Sequence, residues 1–277
     1  MEMELEDLLH GFDNNLANGC VAKGMEQEIK GFYSGTSGLI LPVPNKLHYP
    51  GEFREKSRLC YYGSLMDSIE INSSFYKIPM AATVKKWAGE VPEGFRFTFK
   101  LFRGITHNPQ LAFDPDELGR FMEVVSAVGE KRGFILVQFP PGVRIANFVQ
   151  LSRLMASLRE QDAEGKWKIA VEFRHASLYI DEVMELLGEY GLGMVVHDKG
   201  MGAGPAEGPD TDFRYLRFHG PGGNYRGSYS KDVLSEYAGY IAEWLSEGKK
   251  VYVYFNNTMG DAYGNLRTLR GLVDDMV

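Results

Sequence analysis

Cysteine is nearly absent. Cys20 and Cys60 are the only two in 277 residues, and neither belongs to a Cys-x-x-Cys pair. That excludes a disulfide framework and the usual zinc-ribbon or dithiol spacing, and both side chains are expected as reduced thiols. Long apolar runs are missing too, and none approaches the ~18 residues that would span a bilayer. The acidic start, Met1–Leu9, has no basic segment ahead of an apolar one and does not read as a signal peptide. A cytoplasmic protein with no membrane partner is therefore expected. Basic residues are in the minority, 30 Lys and Arg against 37 Asp and Glu, for a net charge of −7. This balance speaks against a dedicated nucleic-acid binder, which usually carries a basic surface. No Walker loop, dinucleotide fingerprint, Gly-x-Ser-x-Gly elbow or His-x-Glu spacing occurs. No cofactor is expected on these grounds, and a metal ion only as a weaker alternative.

What the chain does have is strand-like runs. Eight short ones occur, at Phe32–Thr36, Ser68–Asn72, Phe95–Lys100, Phe134–Phe139, Lys168–Arg174, Gly193–Asp198, Phe213–His219 and Lys250–Asn257. Helical stripes separate most of them. Leu118, Phe121, Met122 and Val125 follow i, i+3, i+4, i+7 behind an Asp114-Pro115 start. Similar stripes run through Phe148–Leu158, Val183–Tyr190, Leu234–Leu245 and Leu266–Val273, with shorter ones at Leu59–Met66 and Ala81–Ala88. Eight strands alternating with helices predict a single (β/α)8 TIM-barrel-like domain over 30–277, close to the typical size of roughly 250 residues. Residues 1–29 read as an N-terminal extension with one short helix at Leu5–Leu9. The stretch from about 199 to 212 holds Gly and Pro but no stripe, so one crossover is expected to be helix-poor and its Gly200–Gly208 loop a simple connector.

Side chains alternate across a strand. Ile69 and Ile71, Phe97 and Phe99, Val137 and Phe139, Val171 and Phe173, Leu216 and Phe218, and Val253 and Phe255 share one parity and should pack on the helices. The other parity turns Glu70, Asn72, Lys100, Gln138, Glu172, Arg174, Arg217, His219, Tyr254 and Asn256 inward. In Gly193–Asp198 the parity is ambiguous, so either His197 or Asp198 joins them. Buried charges must be paired or occupied by a ligand. Their crowding at the carboxyl ends of the strands, where barrel active sites lie, favours a ligand cavity over a salt-bridged plug.

Several stretches now stand out together. They are Glu70-Ile71-Asn72-Ser73-Ser74-Phe75-Tyr76, Phe97-Thr98-Phe99-Lys100 with Ile105-Thr106-His107, and Gln138-Phe139-Pro140-Pro141. Val171-Glu172-Phe173-Arg174-His175, Arg217-Phe218-His219-Gly220 and Tyr254-Phe255-Asn256-Asn257 follow. In this order they resemble the YecE-like family, the domain of unknown function seventy-two, from about Tyr33 to the C-terminus. The resemblance implies a TIM-barrel-like fold and supplies no activity. Two positions depart from it: Leu39 and Leu178 stand where the family usually has Trp, both after strand ends near the expected mouth.

The residues frame the chemistry. Glu172 is the candidate general base, with His219 and Glu70 as further catalytic candidates. Lys100, beside Glu70, should keep that carboxylate ionised. Lys100, Arg174, Arg217 and His107 form a candidate anion pocket, and Asn72, Gln138, Tyr225, Tyr254 and Asn256 would line it. The Gly220–Gly227 loop could turn amides toward an anion. The reading is an enzyme, a hydrolase, lyase or isomerase, acting on a small anionic, sugar-like metabolite that is phosphorylated or carboxylated. The alternatives are a metal-dependent phosphodiester hydrolase or nuclease, and a non-catalytic protein that binds a small ligand.

Overall fold

The structure is a computed structural model that describes residues 29–198 and 208–277. The alternating runs become β1 (Phe32–Thr36), β2 (Ser68–Ile71), β3 (Arg96–Lys100), β4 (Arg132–Gln138), β5 (Lys168–Glu172), β6 (Gly193–His197), β7 (Phe213–Phe218) and β8 (Lys250–Phe255). All pairs are parallel, in the order β1-β8-β7-β6-β5-β4-β3-β2. Between them lie α1 (Arg58–Gly63), α2 (Ser73–Tyr76), α3 (Ala81–Gly89), α4 (Arg103–Thr106), α5 (Pro115–Val125), α6 (Phe148–Gln161), α7 (Asp181–Glu189), α8 (Lys231–Ser246) and α9 (Ala262–Asp274). This is an α/β, TIM-barrel-like fold. The expected extension with its helix at Leu5–Leu9, and most of the helix-poor crossover, fall at 1–28 and 199–207, outside the described residues.

Helix ends obey local chemistry. Asp114 accepts from the Asp116 amide at 3.0 Å and Pro115 opens α5, whose stripe is buried. Ser230 caps α8 through the Val233 amide. Past the end of α7, Gly191 takes the left-handed conformation, and Leu192 N–H reaches the Leu187 carbonyl at 2.8 Å. Helices α2 and α4 have only four residues each, too few to show a stripe.

The outward parity holds throughout. All twelve apolar residues assigned to it are buried in the cluster that the helices share, and burying each stabilises the fold by roughly 1.5–3 kcal/mol. The inner face is layered. At its base Phe134 meets Phe213, Tyr215 and Tyr252 edge-on at 4.8, 4.9 and 4.7 Å, and Tyr33 stacks on Tyr252 at 4.5 Å. Leu136, Ala170, Val195 and Tyr254 complete this apolar interior. Above this layer the inner parity carries Glu70, Lys100, Gln138, Glu172, His197 and Arg217 near the carboxyl ends of their strands, while Arg96, Arg132, Lys168 and Lys250 share that parity at the opposite ends.

The seam between β1 and β2 is thin. They share one bridge, Ser37 with Glu70, and a Gly38 N–H bond to the Glu70 carbonyl at 2.9 Å. Side chains supply the rest. The Tyr62 hydroxyl accepts from the Thr36 amide at 2.8 Å and donates to the Ser68 carbonyl at 3.1 Å. Asp67 accepts from the Ser34 amide, and Arg270 of α9 holds Asp67 in turn. Gly35 permits the approach, since a Cβ there would lie 2.0 Å from the Ser68 carbonyl oxygen.

Two expectations are corrected. Cys60 is not a reduced thiol, because its sulfur is held in a disulfide. Leu178 is not at the mouth. It is fully buried in the helix-side core, while Leu39 is half-buried against that same core. Among the described residues, no helix is long and apolar enough to cross a membrane.

Candidate functional site

Parity and strand length together place the ionic residues at one end of the barrel. Arg217, on β7 and 1% exposed, is their centre. Its Nη2 donates to Glu70 Oε1 at 2.7 Å, and its Nη1 donates to Glu172 Oε2 at 2.5 Å. Ser37 Oγ and the Tyr215 hydroxyl donate to the two Glu70 oxygens at 2.7 and 2.6 Å. Arg174 pairs with Glu172 Oε1. Burial alone would raise the pKa of both carboxyls. Arg217 reverses this for each, helped by Ser37 and Tyr215 at Glu70 and by Arg174 at Glu172, so both are held below the usual carboxylate range.

This corrects two expected roles. Arg217, not Lys100, keeps Glu70 ionised. Glu172 lies between two guanidinium groups and is too weakly basic to take a proton near neutral pH, so it anchors the arginines. Lys100 Nζ donates instead to Gln138 Oε1 at 2.9 Å and sits 4.2 Å from the centre of the Phe75 ring. Arg217 Nη1 approaches the same amide oxygen at 3.4 Å. Burial, then repulsion by Arg217, lowers the Lys100 pKa to about 8, against the partial attraction of Glu70 and Glu172.

The ambiguous strand contributes both of its candidates. His197 has the inner parity, and its Nε2 lies 3.0 Å from the Tyr179 hydroxyl. Asp198, one residue beyond β6, reaches His219. Its Oδ1 accepts from the His219 backbone amide at 2.8 Å and lies 3.0 Å from Nδ1, while Oδ2 accepts from the Tyr229 hydroxyl. Arg174 Nη2 sits 3.0 Å from His219 Nε2 and can only donate. The tautomer that satisfies both contacts carries its proton on Nδ1. Burial lowers the His219 pKa more than Asp198 raises it, so the ring is neutral.

The remaining candidates divide. Asn72 follows β2, at the start of α2, with a buried Oδ1 that no described residue satisfies. Asn256 follows β8 and is half-buried. Tyr254 is not at the mouth. It lies a layer below, its hydroxyl taken by Ser68 at 2.5 Å and Thr98 at 2.7 Å. His107 lies edge-on to Phe75 at 4.8 Å. Burial, with Lys100 and Arg103 nearby, lowers its pKa to about 4, so it brings no positive charge to an anion. In the Gly220–Gly227 loop, the amides of Gly220, Gly223 and Tyr225 bond Tyr229, Gly220 and His219 rather than facing an empty cradle. Tyr225 adopts a left-handed φ of 67° with its ring 5.9 Å from His219. Ser37, Asp198, Tyr215 and Tyr229 complete the cluster. Ser37 and Tyr215 share the inner parity and were within reach of the strand argument, whereas Tyr229 lies in a loop and carried no signal.

Unfilled hydrogen-bonding capacity is concentrated here. Arg174 Nε and Nη1 and Arg217 Nε are buried and bond no described residue. A charged donor left so is costly unless an acceptor arrives. Among the described residues, no group of three or more His, Cys, Asp or Glu is placed to hold a metal ion.

Comparison with known proteins gives a consistent picture. Residues 33–276 match the family model described as "Protein of unknown function DUF72". Over 258 residues the chain is 28% identical to the UPF0759 protein YunF of Bacillus subtilis strain 168, covering 82% of this chain and 90% of that one. It is 25% identical over 118 residues to the UPF0759 protein YecE of Escherichia coli K12, 43% of this chain and 42% of the relative. A DUF72 family protein from Enterococcus faecalis V583 superposes with a TM-score of 0.70 at 21% identity, covering 88% and 95% of the two chains. One from Thermotoga maritima MSB8 gives 0.68 at 24% identity, covering 88% and 99%. These structures share the fold.

Proposed function

We propose the following for a chain that belongs to the DUF72 family of proteins: it is an enzyme that binds a small polar anion at the carboxyl end of its barrel and moves a proton on it. The supporting observation is the set of buried guanidinium donors on Arg174 and Arg217 that no described residue accepts. Lys100, held among the described residues by a neutral amide and a ring face, adds a third cation. A phosphate or carboxylate supplies the missing acceptors, and arginine suits either group.

His219 is the acid–base group in this reading. Asp198 and Tyr229 hold its Nδ1 side, and Arg174 occupies Nε2. An anion that engages Arg174 draws the guanidinium off Nε2 and frees that lone pair for a substrate proton. Binding thus prepares the base. Glu70 and Glu172 serve as counter-ions that keep both arginines in place.

Thermal unfolding with inorganic phosphate, citrate and glycerol 3-phosphate, against neutral glycerol, tests the reading. A bound anion at a hundred times its Kd adds about 2.7 kcal/mol, a rise of roughly 5–10 °C for a chain of this size. Arg174→Gln should lose that rise. Equal melting temperatures with and without every anion would refute the site.

A further inference from the structure

Buried Lys131 and half-buried Lys100 are satisfied very differently. Lys131 Nζ donates to two backbone carbonyls, Ala88 at 2.7 Å and Val91 at 2.8 Å, with Glu93 at 3.9 Å. That is a structural lysine with its donors filled. Lys100, at the end of β3, has one acceptor among the described residues, the side-chain oxygen of Gln138, and shares it with Arg217. Its other neighbour is the face of Phe75. Among the described residues, no carboxylate forms an ion pair with it. Two cations on one neutral oxygen disfavour the protonated amine, and the nearby guanidinium groups add to that. Such a setting makes a lysine a nucleophile rather than a mere point charge.

We propose that Lys100 forms a Schiff base with a small carbonyl compound that also carries a carboxylate or phosphate. This rests on the anion site proposed above, with Arg174 and Arg217 holding the anionic group and Lys100 facing the carbonyl carbon. The Nζ lone pair forms the C–N bond. The carbonyl oxygen takes both amine protons and leaves as water, and the imine nitrogen takes one proton from solvent. The resulting iminium withdraws electrons from the adjacent C–H or C–C bond, where the freed His219 Nε2 removes or returns a proton.

The pKa of about 8 supports the geometry. At pH 7 it leaves roughly a tenth of the amine neutral, against roughly one part in two thousand for an ordinary lysine.

The whole chain is incubated at pH 7 with pyruvate or dihydroxyacetone phosphate, reduced with sodium cyanoborohydride, and mapped by peptide mass spectrometry. Lactate and glycerol 3-phosphate serve as matched anions without a reactive carbonyl, and thermal shifts are read for all four. The expected result is one adduct, on the peptide bearing Lys100, formed at least roughly ten-fold faster than on any exposed lysine. Which of the two carbonyl compounds reacts tells carboxylate from phosphate. Lys100→Arg should keep the thermal shift and lose the adduct. Thermal shifts without a Lys100 adduct, or adducts spread evenly over surface lysines, would overturn the Schiff base and leave the anion site standing. No thermal shift with any of the four overturns the anion site itself.

Discussion

Arg217 and Lys100 illustrate opposite fates of a buried cation. Arg217 meets two carboxylates with good geometry, so it is held charged and holds them charged. Replacing it with Met leaves Glu70 and Glu172 buried with much of their compensation gone. A loss of about 3–5 kcal/mol is expected, read by urea unfolding. Lys100 has no such partner among the described residues, and its folded pKa is depressed. The unfolded chain therefore binds more protons than the folded one between about pH 8 and the ordinary lysine value near 10.4, and stability rises with pH across that window. Below it, the buried ammonium is a standing penalty. Lys100→Met should stabilise the protein by about 2 kcal/mol at pH 7, and the advantage should shrink as pH passes from 8 to 10. A destabilised Lys100→Met protein at pH 7 would contradict the account of that side chain.

At the level of elements, the barrel is continuous except where β1 meets β2. There the ladder gives way to side chains, and the tightness of the approach depends on Gly35. Gly35→Ala puts a methyl group against the Ser68 carbonyl, a backbone clash with no flexible neighbour to yield. Tyr62→Phe removes the hydroxyl that serves both strands. Its expected cost is about 1–3 kcal/mol, since the Thr36 amide and the Ser68 carbonyl lose a shared partner. Amide hydrogen exchange should localise the change to β1 and β2, whereas exchange that quickens equally in all strands would show that the seam is no weaker than the rest.

For the whole molecule, the acidic surface and the cationic mouth set a pH dependence. Binding of sulfate, whose charge is constant over this range, should be level from pH 6 to 7.5 and weaken above about 8 as Lys100 loses its proton, approaching ten-fold per unit. Calorimetric titration measures this, and in Lys100→Arg the decline should vanish because guanidinium stays charged. An unchanged decline in that variant would assign the titration to another group.

The eight strands, the long helices and the outward parity were legible because period two and period 3.6 are local signals, carried by residues such as Ile69, Ile71, Leu118 and Phe121. The convergence of Glu70, Glu172, Arg174 and Arg217 was legible too, because an ionic side chain on a buried face has few places to go. Who partners whom was not legible. Strand order alone suggested Lys100 for Glu70, but barrel curvature brings Arg217 across from β7. Asp198 lies one residue past its strand, where parity stops constraining direction, and Tyr229 approaches from a loop. The apolar layer that removes Tyr254 from the mouth depends on how far down the barrel axis each residue sits. Alternation tells inside from outside, and only the tertiary structure sets depth and pairing, because these follow from distances between residues far apart in the chain.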